Sequence, residues 1–399
     1  MKVKITKDTA IAVVLLWLCG TGLRLTILAV PPLLPLIRAD LHLSATAVGV
    51  LISLPVALFS LAALPGSLFI ARLGTMRTLV GGLLIVALGA ALRGVSPGTA
   101  ALFAATTLMG FGVAIMQPTM PAIVRQWLPS RVGFGTATYS NGLMMGQLFP
   151  TLITLPLLLP WLKGNWRWSL AMWSLPVALT AAVVIALAPR PARAPGEQLA
   201  GNGTSASPAK WWPDWSNSLV WRLGIMVGSV NAAYFAANAF LPVYLAETAR
   251  PDLVGKAVMA LNFGQLPASF LLLIFAGRLE RRAWPYIAGG FIELISLIGM
   301  VYGVGGWTPL WAALFSFATG SGLILGLSLP PLLSAPGDVA RTAAAMFAVG
   351  YGGAVVVALI SGAAWDLLGN PRAAFVPIGL CAIVLTVSAV GLRRRRELL

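Results

Sequence analysis

Leu15–Pro35 reads LLWLCGTGLRLTILAVPPLLP, an apolar run with a single guanidinium, Arg24, near its middle. At about 1.5 Å rise per residue, roughly 20 residues cross the hydrocarbon of a bilayer, so the run predicts a membrane-spanning helix. A charge at that depth costs about 2.5–3.5 kcal/mol on insertion scales unless it meets protein or water. Snorkelling is hard for Arg24, which stands about ten residues from either expected end of the span. Pairing is equally hard, because Glu293 is the one carboxylate deep in any expected span. What remains is an arginine that lines a wet central cavity and meets an anion there.

Composition sets the class. The chain has 399 residues, 58% hydrophobic and 10% charged, with a mean hydropathy of +0.89. That is the profile of a polytopic helical membrane protein, with lipid as its surroundings. The net charge of +16 does not point to nucleic acid, because the cations are dealt out in small groups between apolar spans. Cys19 and Cys381 fall inside expected helices and the single histidine, His42, in a loop. Neither a disulfide, a metal site nor a cofactor is expected from them. Met1–Ala10 is short and basic, yet the apolar run behind it is too long for a signal peptide, so it reads as a retained first helix.

Twelve spans follow from hydropathy: about 10–36, 45–70, 78–95, 98–124, 133–161, 168–188, 219–245, 254–276, 284–304, 309–334, 343–366 and 373–392. Placing the N-terminus in the cytoplasm puts most cations inside, among them Arg72, Arg77, Arg125, Arg131, Arg278, Arg281, Arg282, Arg341 and the tail Arg393–Arg396. Fewer lie outside: Arg38, Arg93, Lys163, Arg167, Arg250, Lys256 and Arg372. That imbalance orients the chain and returns the C-terminus to the cytoplasm. Residues 189–218, rich in Pro, Gly, Ala and Ser, predict a flexible cytoplasmic linker. Its Trp211, Trp212 and Trp215 are expected to start a short amphipathic piece at the interface.

The halves repeat. Arg24 precedes Pro35 by eleven residues, as Asn231 precedes Pro242. Leu54-Pro55 matches Leu266-Pro267, and the basic turn at Arg72 matches that at Arg278. Offsets of about 206–212 recur. Two parallel repeats predict a two-bundle carrier with its site at the midplane between them.

The chain at this point resembles the major facilitator superfamily over essentially its whole length. ARLGTMR (71–77) is similar to a degenerate copy of that superfamily's Asp-Arg-x-Gly-Arg-Arg turn, with Ala71 where the aspartate is usual. Gly110–Ala114 through Met116–Pro121 resembles its fourth span, and Asn165–Trp168 the start of its sixth. Within it, the chain resembles the cyanate/2-nitroimidazole transporter family. The residues that carry this are Leu23-Arg24 leading to Pro32–Pro35, Leu51–Pro55, Met116–Ile123, Gly89–Arg93 and Asn231–Tyr234. The resemblance implies an all-α membrane protein of twelve transmembrane helices in two pseudo-symmetric six-helix bundles, the major facilitator fold. It implies a secondary transporter of small anions such as cyanate, or of nitrogen heterocycles. The expected organisation is an N-terminal bundle over 1–188, a linker over 189–218 and a C-terminal bundle over 219–399.

Candidate residues follow from helical spacing. Asn231, Tyr234 and Asn238 recur at i, i+3 and i+7 on one face of the seventh span. Asn262, Gln265 and Ser269 do the same on the eighth. Such stripes either line a cavity or glue helices together. Gln147 and Tyr139 share a face of the fifth span, Asn141 points elsewhere, and Tyr351 lies on the eleventh. Gln117, beside Pro118 and Pro121, reads either as a gate or as a partner for freed backbone groups. Glu293 reads as a proton-coupling carboxylate or as a structural glutamate on an outer span. Arg72 and Arg278 are gating or coupling candidates.

The expected activity is alternating-access transport of a small monoanion drawn to Arg24, at the bacterial inner membrane, by a monomer coupled to protons, to a counter-anion or to neither. The alternative is an exporter of nitroimidazole-like or other drug-like molecules, with Arg24 structural. An enzyme would need clustered His, Asp, Glu or Cys, which this sequence lacks.

Overall fold

Long apolar stretches that satisfy their own backbone are what a bilayer demands, and they form the helices seen here. The structure is a computed structural model that describes residues 7–189, 210–248, 250–303 and 305–394. In the first part of the chain run α1 (Lys7–Gly22), α2 (Val30–Leu41), α3 (Ala45–Leu61), α4 (Ala63–Leu73), α5 (Thr75–Gly94) and α6 (Thr99–Trp127). After them come α7 (Val132–Ile153), α8 (Leu159–Trp161), α9 (Trp166–Met172) and α10 (Ser174–Leu187). In the second part run α11 (Ser218–Glu247), α12 (Val254–Phe263), α13 (Gln265–Leu279), α14 (Trp284–Tyr302), α15 (Thr308–Leu333), α16 (Val339–Leu368) and α17 (Phe375–Arg394). Side-chain caps start several of them: Ser44 accepts from the Ala47 amide, Asn165 from Trp168 and Asn217 from Leu219.

Among the described residues, ten helical stretches are long and apolar enough to cross a membrane, and a bent pair raises the number to eleven. The bent pair joins α3 to α4 at an angle of 51°. Its cause is Pro65, which has no N–H for the Leu61 carbonyl one turn back. Prolines also mark two other interruptions: Pro156 lies within the π-turn Thr154–Leu158, and Pro267 follows the step at Gly264 between α12 and α13. The first expected span, 10–36, is not one helix. It breaks at Leu23–Ala29 between α1 and α2, because Pro31 and Pro32 cannot donate to the carbonyls of Ile27 and Leu28.

Contacts cluster into two units, Met1–Pro213 with Ser334–Ala344, and Asp214–Leu333 with Ala345–Leu399. In the first, α5 pairs with α6 and α1 with α7. The α1–α7 seam is a glycine seam. A Cβ on Gly20 would lie 2.0 Å from the Tyr139 carbonyl, on Gly142 2.1 Å from the Trp17 carbonyl, and on Gly146 2.4 Å from the Thr21 carbonyl. Small residues let the two backbones touch, the usual route to helix association where lipid cancels the hydrophobic effect. In the second unit, α14 packs on α15 and α17, and α11 on α17. There the Tyr244 hydroxyl donates to the Val301 carbonyl at 2.6 Å.

Most of the expected linker, residues 190–209, lies outside the described residues. The tryptophans beyond it do not start a helix. Residues 210–217 form irregular chain held by hydrogen bonds, with the Ser67 hydroxyl of α4 on the Trp211 carbonyl (2.7 Å) and the Trp221 indole on the Trp215 carbonyl (2.9 Å).

The turn between α13 and α14 holds Glu280, 8% exposed, with Oε2 lacking a hydrogen-bond partner. Burial pushes its carboxyl up to about 7, against the opposing pull of Arg281. A raised carboxyl favours the folded state in full below its ordinary range and loses that contribution as pH climbs through about 7. Thermal unfolding in detergent should therefore show stability falling between about pH 4.5 and 7. Glu280→Gln should flatten that part of the profile and stabilise the protein at pH 8 by about 1–3 kcal/mol. An unchanged profile in the variant would refute the assignment.

Candidate functional site

The break in the first span decides where Arg24 goes. Leu23 and Arg24 donate their amides to the Gly20 and Thr21 carbonyls at 3.1 and 3.2 Å, and the Arg24 carbonyl accepts from Ile27 and Leu28. The side chain is 8% exposed, and its guanidinium lies 5.2 Å from the centroid of the Phe59 ring on α3. A face-on ring favours a cation held out of water.

Tyr139 and Gln147, on α7, sit on the helix that carries the glycine seam. Tyr139 is buried and Gln147 half-buried. Asn141 faces α1 instead, where its Oδ1 accepts from the Trp17 indole at 3.0 Å, so it locks the seam. Gln117 is buried in α6 beside Pro118 and Pro121. Arg72 and Arg278 are exposed in the last turns of α4 and α13, where a cation complements the helix dipole.

In the second unit, two of the expected stripes meet. The Tyr234 hydroxyl donates to Asn262 Oδ1 at 3.0 Å, Asn262 Nδ2 donates to Asn238 Oδ1 at 3.0 Å, and Asn238 Nδ2 donates to the Tyr234 carbonyl at 3.0 Å. A phenol and two amides thus form a closed, uncharged network joining α11 to α12. Asn231 is not part of it. It is buried where α11 meets α16, with its Nδ2 near Gly350 and without an acceptor. Gln265 is also apart, packed against Gly320 of α15, and Ser269 is fully buried. Tyr351 stacks on Phe347 (6.1 Å, 16° between planes) and lies 6.2 Å from Phe235, which in turn meets Tyr234 edge-on. Glu293 is wholly buried in α14, and neither carboxylate oxygen has a hydrogen-bond partner.

One residue escaped the sequence reading, which placed Arg93 among the outer cations. It is fully buried in the last turn of α5, and its Nη2 donates to the Thr26 carbonyl at 2.7 Å. The signal lay in the prolines. Because Pro31 has no N–H for Ile27, the Val30 amide turns to the Ile27 carbonyl, which strips Thr26 of its helical donor.

Residues 16–360 match the sequence profile of the Major Facilitator Superfamily. The chain is 26% identical over 382 residues to the cyanate transport protein CynX of Escherichia coli (strain K12), covering 93% of this chain and 94% of that one. It is 23% identical over 400 residues to the 2-nitroimidazole transporter of the same organism, covering 98% of each. In structure it is similar to the proton:xylose symporter XylE bound to 6-bromo-6-deoxy-D-glucose, with a TM-score of 0.72 at 13% identity, over 96% of this chain and 95% of that one.

The neutral network permits a test of its own. Tyr234→Phe removes one hydrogen bond of a kind that contributes about 0.6 kcal/mol on average in membrane proteins. The variant should unfold within about 2 °C of the wild type. A much larger loss would make the network a structural keystone of α11 and α12.

Proposed function

The chain belongs to the Major Facilitator Superfamily, and from that premise we propose that it carries a small monoanion across the bacterial inner membrane by alternating access, with Arg24 as the charge that binds it. The observation that carries this reading is a buried guanidinium on the broken segment of a membrane span. Against an anion at about 4 Å, one cation contributes about 4 kcal/mol at an effective dielectric near 20. Each charge-assisted hydrogen bond from a neutral donor adds about 1.5–3 kcal/mol before desolvation is subtracted. That suits weak, releasable binding, which a carrier needs.

In this reading the bundles 1–188 and 219–399 rock about a midplane site, joined by the linker 189–218, and both termini face the cytoplasm. Asn231, Tyr234, Asn238, Asn262 and Gln265 supply neutral donors from the second bundle, with Gln147, Tyr139 and Tyr351 as further lining. Gln117, Arg72 and Arg278 serve the gates, and Glu293 carries a coupling proton. Likeness to the cyanate transport protein favours cyanate or a similar small anion.

A second reading is export of nitroimidazole-like molecules. It is supported by likeness to the 2-nitroimidazole transporter and by the aromatic row Phe347, Tyr351, Phe235 and Tyr234, which suits a flat heterocycle.

Thermal unfolding of purified protein over a panel of small anions and nitroimidazoles separates the two. Cyanate-sized anions should raise the melting temperature of the wild type by a few degrees. Arg24→Ala should lose that response, and Arg24→Lys should keep part of it. An alanine variant that keeps every anion response would refute Arg24 as the binding charge, and a response confined to heterocycles would establish the export reading. Glu293→Gln should keep anion-induced stabilisation while losing accumulation driven by a pH gradient in proteoliposomes. If accumulation persists, Glu293 is structural.

A further inference from the structure

Arg93 supplies more donors than the fold uses. Of its nitrogens, Nη2 bonds the Thr26 carbonyl at 2.7 Å, while Nε and Nη1 are buried without partners. The Thr26 hydroxyl, fully buried on the same segment, is unpartnered as well. Among the described residues Thr136 and Thr308 share that state, but it is not the usual one. Thr21, Thr106, Thr119, Thr138 and Thr180 each return their hydroxyl to the carbonyl one turn back, the ordinary resort of threonine in a lipid-embedded helix.

The charge is uncompensated too. Arg93 takes part in neither the Arg167–Asp40 pair at 2.6 Å nor the Arg341–Asp338 pair at 2.8 Å, and no carboxylate among the described residues bonds its Nε or Nη1. Neighbouring contacts enclose the side chain without pairing its free N–H groups. Ser96 donates to the Arg93 carbonyl, Arg167 donates to the Ser96 carbonyl, and a Cβ on Gly94 would press on Ala171 at 2.5 Å. The α5 dipole favours a cation at this end but cannot neutralise one. A water could accept from the free N–H groups, yet it would leave the guanidinium charge unpaired in a medium where that is costly.

We propose that Arg93 Nε and Nη1, with the Thr26 hydroxyl, bind a resident small inorganic monoanion such as chloride. A guanidinium donates only, and a monatomic anion accepts from several directions at once within a small enclosed volume. The bound ion neutralises Arg93, satisfies Thr26 and fixes the segment that carries Arg24, two residues away. This ion stays with the protein and is distinct from the transported cargo at Arg24.

The test is thermal unfolding of the purified full chain in detergent, exchanged from sodium gluconate into sodium chloride at constant ionic strength. The wild type should gain about 3–5 °C along a saturable curve. Arg24→Ala should keep that gain, Thr26→Val should move its midpoint to higher chloride, and Arg93→Gln should lose it. No saturable gain in the wild type, or a gain that survives in Arg93→Gln, would overturn the proposal. A gain that vanishes in Arg24→Ala instead would place the ion at the cargo site and leave the reading of Arg24 standing. Should Arg93→Gln not fold, wild-type crystals soaked in sodium bromide decide by anomalous scattering. A peak within about 3.5 Å of Arg93 Nε or Nη1 supports the site, and its absence there refutes it.

Discussion

In hydrocarbon, a backbone carbonyl that loses its donor has no water to turn to, and each such group costs several kcal/mol. The first span meets this constraint at Pro31 and Pro32, and much of the first unit is arranged around the remedy. Val30 bonds one residue short, Thr26 is left over, and Arg93 reaches across from α5 to take its carbonyl. The break therefore persists as a defined structure instead of fraying. Arg24 sits on it because the chain stops being helical there, which lets a long cationic side chain lie over Phe59.

The second unit solves its polar problem differently. Tyr234, Asn238 and Asn262 satisfy one another without any charge. Amides and phenols can exchange such bonds for bonds to a solute at little net cost, because both states are hydrogen-bonded.

Much of this was legible in the residues. Hydropathy marks the spans because lipid leaves helices few alternatives, and the offsets linking Arg24 to Asn231 expose the repeat. Tyr234 and Asn238 on the seventh span and Asn262 on the eighth do converge, since positions about one turn apart share a face whatever the helix packs against. Periodicity could not say which neighbour that face meets, so Asn231 and Gln265 were grouped with partners they do not touch. Arg93 was misread for a different reason. Near the end of a span a cation ordinarily marks the interface, and only the bond to a carbonyl freed by distant prolines buries it. Gly20, Gly142 and Gly146 look unremarkable in sequence, because a close approach depends on two helices being in register.

That glycine seam governs how the first span can move. With backbone against backbone over Trp17–Thr21, the last turns of α1 are held tightly to α7. Beyond the break, α2 touches its neighbours only sparsely. The span is thus a rod fixed at one end, with a joint at Leu23–Ala29 and a free arm of about 18 Å. A swing of about 10° at that joint carries the far tip through about 3 Å by simple leverage, while the clamped portion stays still. Displacement is then concentrated in the arm, and Arg24, being at the fulcrum, can change its surroundings while hardly changing its place.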